Sequence, residues 1–205
     1  MTFDVNAPAA KDSGIFGLVT SVAEARVVVV PVPFEATVSY AAGTARGPAA
    51  LLAASRQVDL LDADTGRPHE AGLAMDAPLA AAVDNNAAAR DAATRCIDAI
   101  TAGRSPDDRD RTIVEEAGAA INRELTERVG AILRDRKIPV VVGGDHSVPY
   151  GAIAACAAAM GDQPLGVLHL DAHADLRPAY EGFTWSHASI MRNVVDRIPL
   201  VRLVQ

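Results

Sequence analysis

The fold of this chain is decided by IPVVVGGDHS at residues 138–147, in which an apolar run ends in two glycines and an Asp-His pair. The stretch LGVLHLDAHAD at residues 165–175 has the same order, with Asp171 directly behind the apolar run. Such runs are typical of strands buried on both faces, as in a parallel sheet. Because active sites form beyond the carboxyl ends of parallel strands, the two stretches predict neighbouring strands that deliver polar side chains to one rim.

Strand and helix patterns alternate on both sides of these stretches. A valine run at residues 27–30 predicts a buried strand, and residues 39–55 predict a loop that enters a helix with Pro48 in its first turn. Four apolar residues recur at helical spacing in a further helix, namely Ile121, Leu125, Val129 and Ile132. More helices are predicted at residues 79–102, 148–160 and 186–196, and a last strand at residues 200–204. The alternation predicts an α/β fold with a parallel sheet covered on both faces by helices.

Composition excludes several classes of partner. The 205 residues include 19 basic and 26 acidic side chains, a net charge of −7, whereas nucleic-acid binding requires clustered Lys and Arg. No apolar run reaches the ~18 to 20 residues of a membrane span, and the N-terminus lacks a signal-peptide pattern. Cys96 and Cys156 belong to no Cys/His cluster and are predicted to be small buried thiols. We expect a cytoplasmic single domain over residues 1–205, in which residues 1–25 form a polar N-terminal extension.

The polar groups behind the two strands predict a metal site. Asp145 and His146 follow the first strand, and Asp171, His173 and Asp175 follow the second in alternation with alanine. Each aspartate alone is equally well explained as the cap of a following helix. An extended chain would separate Asp171 from Asp175 by roughly 13 Å, at about 3.3 Å per residue, which is too far to share one ion. We therefore expect the chain to curl, so that the ligands close around one or two divalent cations that neutralise the crowded carboxylates.

The donor types narrow the choice of metal, and the other histidines have different predicted roles. Imidazole and carboxylate ligands without thiolates fit manganese, iron, zinc, cobalt or nickel, and the share of carboxylates favours Mn²⁺.

His187 is predicted at the start of a helix with Ser186 as its N-cap, a position that suits a proton shuttle. The alternative is that His187 is an ordinary surface histidine. His169 lies within a strand and is predicted to be a core histidine, whereas His69, in a turn, has no predicted role.

Three motifs together resemble the ureohydrolases, that is arginase, agmatinase and their relatives: GGDHS at residues 143–147, DAHAD at 171–175 and SHAS at 186–189. The stretch SYAAGTARGPAAL at residues 39–51 is similar to the family's N-terminal glycine-proline segment. The resemblance implies a three-layer α/β/α fold with a mostly parallel sheet, two Mn²⁺ ions, and hydrolysis of a small-molecule guanidino substrate to urea and an amine. It also implies homo-oligomers, commonly trimers or hexamers.

Carried over position by position, the resemblance implies a role for each motif residue. His146 resembles the terminal ligand of the first manganese, Asp171 the carboxylate that bridges both ions, and Asp175 a further ligand of the first ion. His173 resembles the terminal histidine of the second ion, and His187 the histidine that carries protons to the leaving amine. Asp145 belongs to the same motif and is expected to support the ligands rather than bind metal.

The chain departs from the family in one motif. A segment of the form SxDxDxxDP, whose aspartates complete the metal site, does not occur, and we expect the sequence to be the N-terminal two-thirds of a ureohydrolase with an incomplete sheet. The context YEGFTWSHAS at residues 180–189 is closer to agmatinase, which predicts hydrolysis of agmatine to putrescine and urea. Alternatives are arginase, guanidino-acid hydrolase or formiminoglutamase, a deacetylase on the related fold, and a non-catalytic metal-binding fragment. Residues 1–205 alone are expected to have weak activity or none.

Overall fold

The computed structural model describes residues 7–39 and 41–205, over which strands and helices alternate. The strands are β1 (Val27–Val32), β2 (Leu73–Met75), β3 (Ile138–Gly143), β4 (Gly166–Leu168) and β5 (Arg202–Val204). The α-helices are α1 (Gly47–Ser55), α2 (Ala80–Thr101), α3 (Asp108–Arg134), α4 (Tyr150–Met160) and α5 (Ile190–Arg197). Short 3₁₀ turns lie at Ile15–Gly17, Thr44–Arg46, Pro68–Ala71 and His187–Ser189.

All strand pairs formed by the named strands are parallel, but they belong to two sheets. Strand β1 lies between β2 and β3, and β4 pairs with β5. The predicted α/β class with a parallel sheet is confirmed. The prediction that the two motif-bearing strands are neighbours is wrong, because β3 pairs only with β1 among the described residues. Ile138 and Val140 of β3 are correspondingly exposed. The ends of β3 and β4 are instead connected by side chains beyond the strands.

Strand β1 is the centre of its sheet, as its valine run predicts. Val28, Val30 and Val32 are fully buried. Pro31 has no N–H to donate to a neighbouring strand. Its carbonyl and its nitrogen face the side of β2, where strand pairing has already ended at Val29. The missing donor is therefore tolerated. Beyond that point the carbonyl of Pro31 accepts a hydrogen bond from the N–H of Leu79 instead. The strand is thus buried on both faces without an unpaired donor.

Helix α3 packs against both α2 and α4. The periodicity that predicted it is confirmed by burial of its four apolar residues, Ile121, Leu125, Val129 and Ile132. Its contact with α4 requires Gly151, since a Cβ there would lie 2.6 Å from the carbonyl oxygen of Asn122. The buried residues of α2 are all small, namely Ala82, Ala89, Ala92, Ala93, Cys96 and Ala99. Small residues therefore set the close packing of this helical layer.

Packing near the N-terminus and the burial of one cysteine differ from expectation. Residues 1–6 of the predicted polar extension lie outside the described residues, but Ile15 and Leu18 are buried, so packing begins before β1. The N–H of Phe16 donates a 2.9 Å hydrogen bond to the hydroxyl of Ser55 at the end of α1.

The two cysteines were predicted to be buried. Burial raises the pKa of the Cys96 and Cys156 thiols, but Cys156 is only half-buried, in contrast to the prediction. None of the helices described is long and apolar enough to cross a membrane.

Candidate metal centre

The loop after β3 is held against the loop after β1. Gly144 has a φ of +23°, and a Cβ at this position would overlap the carbonyl oxygen of Phe34. The next residue, Asp145, donates its N–H to that same carbonyl over 2.8 Å. Glycine is therefore required here both for the backbone conformation and for the close approach of the two loops.

The carboxylate of Asp145 joins the same two loops. One oxygen accepts hydrogen bonds from the N–H (2.9 Å) and the hydroxyl (3.0 Å) of Thr37, and the other accepts the N–H (2.9 Å) and the hydroxyl of Ser147. Asp145 is only 5% exposed, so all of these bonds lie in the interior. The alternative that it caps the following helix is excluded, because α4 begins at Tyr150 with Pro149 in the cap position.

Four side chains from the ends of β3 and β4 form one cluster. One ligand atom from each of His146, His169, Asp171 and Asp175 lies within 4.8 Å of all the others. The Nδ1 atom of His146 is 2.8 Å from a carboxylate oxygen of Asp175 and 3.2 Å from one of Asp171. The structure thus brings together three of the predicted ligands and adds His169. It does so although β3 and β4 belong to separate sheets.

The expected curl after β4 occurs within the Asp-Ala-His-Ala-Asp segment. Asp171 accepts a 2.9 Å hydrogen bond from the N–H of His173. That bond lowers the pKa of Asp171, with a further contribution from the neighbouring histidines, and so favours its ionised form. Asp175 has a φ of +51°, a left-handed conformation that aspartate tolerates better than most residues. The turn brings the carboxylate of Asp175 back to His146 instead of leaving it along an extended strand.

His169 was predicted to be a core histidine, and it is indeed buried, but it also faces the cluster. Its ring stacks on that of His146 with 5.2 Å between centroids, and its Nε2 lies 3.6 Å from a carboxylate oxygen of Asp171. Within the described part of the chain, this buried Nε2 has no hydrogen-bond partner. Nδ1 lies 2.8 Å from the side-chain nitrogen of Gln205. His169 and Asp171 are two residues apart, a spacing that places side chains on one face of an extended segment, and this spacing is the sequence signal for the position.

The cluster has the properties of a cation site. Among the residues that the structure describes, two carboxylates and two imidazoles converge without a thiolate, and the buried Nε2 of His169 is left without a hydrogen-bond partner. Carboxylate crowding of this kind is offset by a divalent cation, and imidazole with carboxylate is a suitable donor set for manganese or zinc. The residues present therefore fit a divalent metal ion.

His173 lies at the border of the cluster. Its side chain is 82% exposed, and its Nδ1 is 3.6 Å from a carboxylate oxygen of Asp171. It is not among the four converging residues, and it lines a cavity of about 730 Å³. The other residues lining this cavity include Ser39, Asp175, Arg177, Tyr180 and His187. The cavity therefore connects the cluster to the predicted proton shuttle.

His187 is held by the loop after β1. Its backbone N–H and its Nδ1 lie 3.2 and 3.3 Å from the hydroxyl oxygen of Thr37, and its Nε2 lies 3.4 Å from the hydroxyl of Ser39. The ring of Tyr180 meets the imidazole edge-on at 5.4 Å. Ser186 occupies the N-cap position of the 3₁₀ turn that precedes α5, as predicted, but its hydroxyl makes no cap hydrogen bond and pairs with that of Ser189 instead. The orientation of His187 comes from these side chains, which sequence spacing did not indicate.

These observations define the class of protein: a parallel α/β protein with a cluster of histidines and carboxylates beyond the ends of its strands. The chain belongs to the arginase family, the ureohydrolases, whose family model matches residues 25–205. It is 33% identical over 180 residues to N(1)-aminopropylagmatine ureohydrolase of Synechocystis sp., covering 87% of this chain and 49% of that protein. It is 34% identical over 182 residues to the N(1)-aminopropylagmatine ureohydrolase of Thermus thermophilus, covering 88% and 50%. The chain therefore spans about half the length of these curated relatives.

Solved structures share the fold. The agmatine ureohydrolase of Thermoplasma volcanium matches with a TM-score of 0.60 and 24% identity, covering 85% of this chain and 47% of that one. Proclavaminate amidino hydrolase of Streptomyces clavuligerus matches with a TM-score of 0.64 and 21% identity, covering 95% and 56%. The predicted three-layer α/β/α architecture with a mostly parallel sheet is thereby confirmed.

Proposed function

We propose that the protein hydrolyses a linear guanidino compound to urea and an amine in an Mn²⁺-dependent reaction. Membership of the arginase family supports a hydrolase that acts on carbon–nitrogen bonds. The observation that carries the proposal is the convergence of His146, Asp171 and Asp175 beside a cavity that also contains His187. Because the chain spans about half the length of its relatives, the proposal concerns the whole protein to which these residues contribute.

The metal ligands that we propose follow from the cluster and its border. His146, Asp171 and Asp175 would hold the first ion, and His169, whose buried Nε2 has no hydrogen-bond partner among the described residues, would be an additional donor. The exposed His173, whose Nδ1 lies 3.6 Å from a carboxylate oxygen of Asp171, would contribute its imidazole to the second ion together with Asp171. Two divalent cations held by these residues would supply a hydroxide nucleophile at neutral pH and stabilise developing negative charge. The carboxylates favour manganese over softer metals.

The protein's own groups position the substrate and move the proton. The net reaction adds water to the guanidino carbon, breaks its bond to the alkylated nitrogen, and transfers a proton to that nitrogen, which leaves as the amine. His187 lines the cavity, and its Nδ1 lies 3.3 Å from the hydroxyl of Thr37 while its Nε2 lies 3.4 Å from the hydroxyl of Ser39. It is therefore placed to give the proton to the leaving nitrogen, a contribution of about 10² to 10⁴ in rate for a general acid.

We propose agmatine, which yields putrescine, or its aminopropyl derivative as the substrate. The motif context favours agmatine, and the relatives from Synechocystis sp. and Thermus thermophilus are named for N(1)-aminopropylagmatine. Both compounds are linear cations, in keeping with the acidic net charge of the chain. Arginine, guanidino acids and formiminoglutamate carry a carboxylate and are the remaining candidates. Homo-oligomerisation to a trimer or hexamer and a cytoplasmic location are part of the same proposal.

The experiment measures urea release by the protein from its complete gene, reconstituted with Mn²⁺. Agmatine, N(1)-aminopropylagmatine, arginine and 4-guanidinobutyrate are compared at equal concentration. We expect the highest kcat/KM with one of the two agmatines, and a loss of about 10² or more in His187→Gln, with little change in the control variant His69→Gln. Absence of urea with every guanidine, in protein that binds Mn²⁺, would contradict the proposed function.

A further inference from the structure

Thr37 makes three contacts through one hydroxyl at the back of the candidate site. The residue is fully buried, in the loop that follows β1. Its hydroxyl oxygen lies 3.0 Å from a carboxylate oxygen of Asp145, 3.2 Å from the backbone nitrogen of His187 and 3.3 Å from the Nδ1 atom of His187. It therefore stands between a buried carboxylate and the imidazole that faces the cavity.

The hydrogen-bonding capacity of a hydroxyl decides the direction of these contacts. A hydroxyl has one hydrogen to donate and two lone pairs that accept. The carboxylate of Asp145 is an acceptor only, and the backbone N–H of His187 is a donor only. If the hydrogen of Thr37 goes to Asp145, the nearer and charged acceptor, both remaining contacts must be accepted by the hydroxyl oxygen. Nδ1 of His187 must then carry a proton, since otherwise its lone pair would face a lone pair.

We infer that Thr37 is a positioning residue that keeps the proton of neutral His187 on Nδ1 and leaves Nε2 unprotonated, with its lone pair on the side of Ser39 and the cavity. The inference rests on the proposed function, because the tautomer matters only if His187 handles a proton there. Asp145 acts through Thr37 and, among the hydrogen bonds of the described residues, makes none to the imidazole: one of its oxygens is held by the same hydroxyl. The hydroxyl thus connects a fixed negative charge to the histidine without a direct ion pair.

The arrangement has a chemical consequence at Nε2. A histidine can collect a proton at Nε2 and pass it to a leaving nitrogen only if that atom is unprotonated in the resting state. Ser39, whose hydroxyl lies 3.4 Å from Nε2, donates to this lone pair and lines the same cavity. Loss of the Thr37 hydroxyl would remove the acceptor for Nδ1–H and allow the proton to move to Nε2. The histidine would then be present but in the wrong protonation pattern.

The test compares Thr37→Val, which removes the hydroxyl at nearly constant volume, with Thr37→Ser, which retains it. Thr112→Val is the matched control, because it removes a hydroxyl that donates only to the carbonyl of Asp108 on the exposed surface of α3. The first measurement is the ¹⁵N NMR spectrum of histidine-labelled, metal-free protein from the complete gene, with the signals of His187 assigned by their loss in His187→Gln. Urea release and KM are measured separately on the Mn²⁺-loaded protein.

We expect a protonated Nδ1 in the parent protein, in Thr37→Ser and in Thr112→Val, and mixed tautomers in Thr37→Val. We also expect kcat to fall by about tenfold or more in Thr37→Val with KM nearly unchanged, and Thr37→Ser to recover most of it. A proton on Nε2 in the parent, or an unchanged tautomer in Thr37→Val, would overturn the inference. The parent spectrum decides the tautomer even if Thr37→Val does not fold. Because the spectrum needs no substrate, failure of this inference is distinguishable from failure to release urea.

Discussion

Replacement of Asp145 by asparagine should destabilise the protein strongly, because all hydrogen bonds to this buried carboxylate come from within the chain. Each oxygen accepts one backbone N–H and one hydroxyl, from Thr37 or from Ser147. In Asp145→Asn one oxygen becomes an NH₂ group, which faces a backbone N–H that cannot turn away. An unsatisfied buried donor costs about 1 to 3 kcal/mol, and each charge-assisted bond is worth about 1.5 to 3 kcal/mol. We expect a loss of about 3 kcal/mol in the free energy of unfolding.

Urea denaturation followed by the fluorescence of Trp185, the single tryptophan of this sequence, measures this loss. The measurement is made with a chelator present, so that metal binding to the folded state does not contribute. Asp162→Asn serves as the control, because Asp162 is exposed on the turn after α4. A loss below about 1 kcal/mol in Asp145→Asn, comparable to an ordinary surface substitution, would refute the reasoning that these bonds join the two loops.

Three further predictions concern single positions. Asp175→Asn removes the charge but keeps a residue that tolerates the left-handed backbone. The affinity for Mn²⁺, measured by calorimetry, should fall at least about tenfold. The control variant Asp196→Asn on α5 should leave this affinity unchanged. Gly144→Ala should give mostly insoluble protein in an expression assay, because its Cβ would overlap the carbonyl oxygen of Phe34. Burial raises the pKa of Glu181, so its ionisation opposes folding. The contribution of Glu181 to stability is therefore fully present below its pKa in the unfolded chain, about 4.3, and is lost as the pH rises through its higher pKa in the folded state. Glu181→Gln should accordingly raise Tm at pH 8 but not at pH 3.

Each of these expectations has a contrary outcome. Unchanged Mn²⁺ binding in Asp175→Asn would remove that carboxylate from the ligand set. Soluble Gly144→Ala with the parent's Tm would mean that the two loops can separate at little cost. An equal rise in Tm at both pH values in Glu181→Gln would show that the gain comes from packing and not from the removal of a buried charge.

The sequence predicted the elements that depend on local periodicity, and it predicted the curl of the chain at the site. The valine run of β1 and the four apolar residues of α3 predicted buried faces that the structure contains. The curl followed from arithmetic, since an extended segment cannot bring Asp171 and Asp175 to one point. The hydrogen bond from the N–H of His173 to Asp171 and the left-handed φ of Asp175 accompany this curl.

Features that depend on distant parts of the chain could not be predicted in this way. The separation of β3 and β4 into two sheets depends on which strands pair, and apolar content does not specify pairing. His169 was assigned to the core because burial and metal-facing orientation produce the same pattern within a strand. The contact between Thr37 and His187 joins residues 150 positions apart, and a lone threonine in a loop carries no local signal of it.

The left-handed conformation of Asp175 has a consequence for redesign of the site. The short side chain of aspartate can bond to nearby backbone and occupies this region more readily than residues with longer side chains. The position therefore demands a negative charge and a particular backbone tolerance at the same time, and aspartate meets the second demand better than glutamate, although Glu181 shows that glutamate can adopt a positive φ. Attempts to lengthen a carboxylate side chain so that the site takes a larger ion should begin at Asp171, whose φ is not positive, because the same change at Asp175 would place a longer side chain on a left-handed backbone.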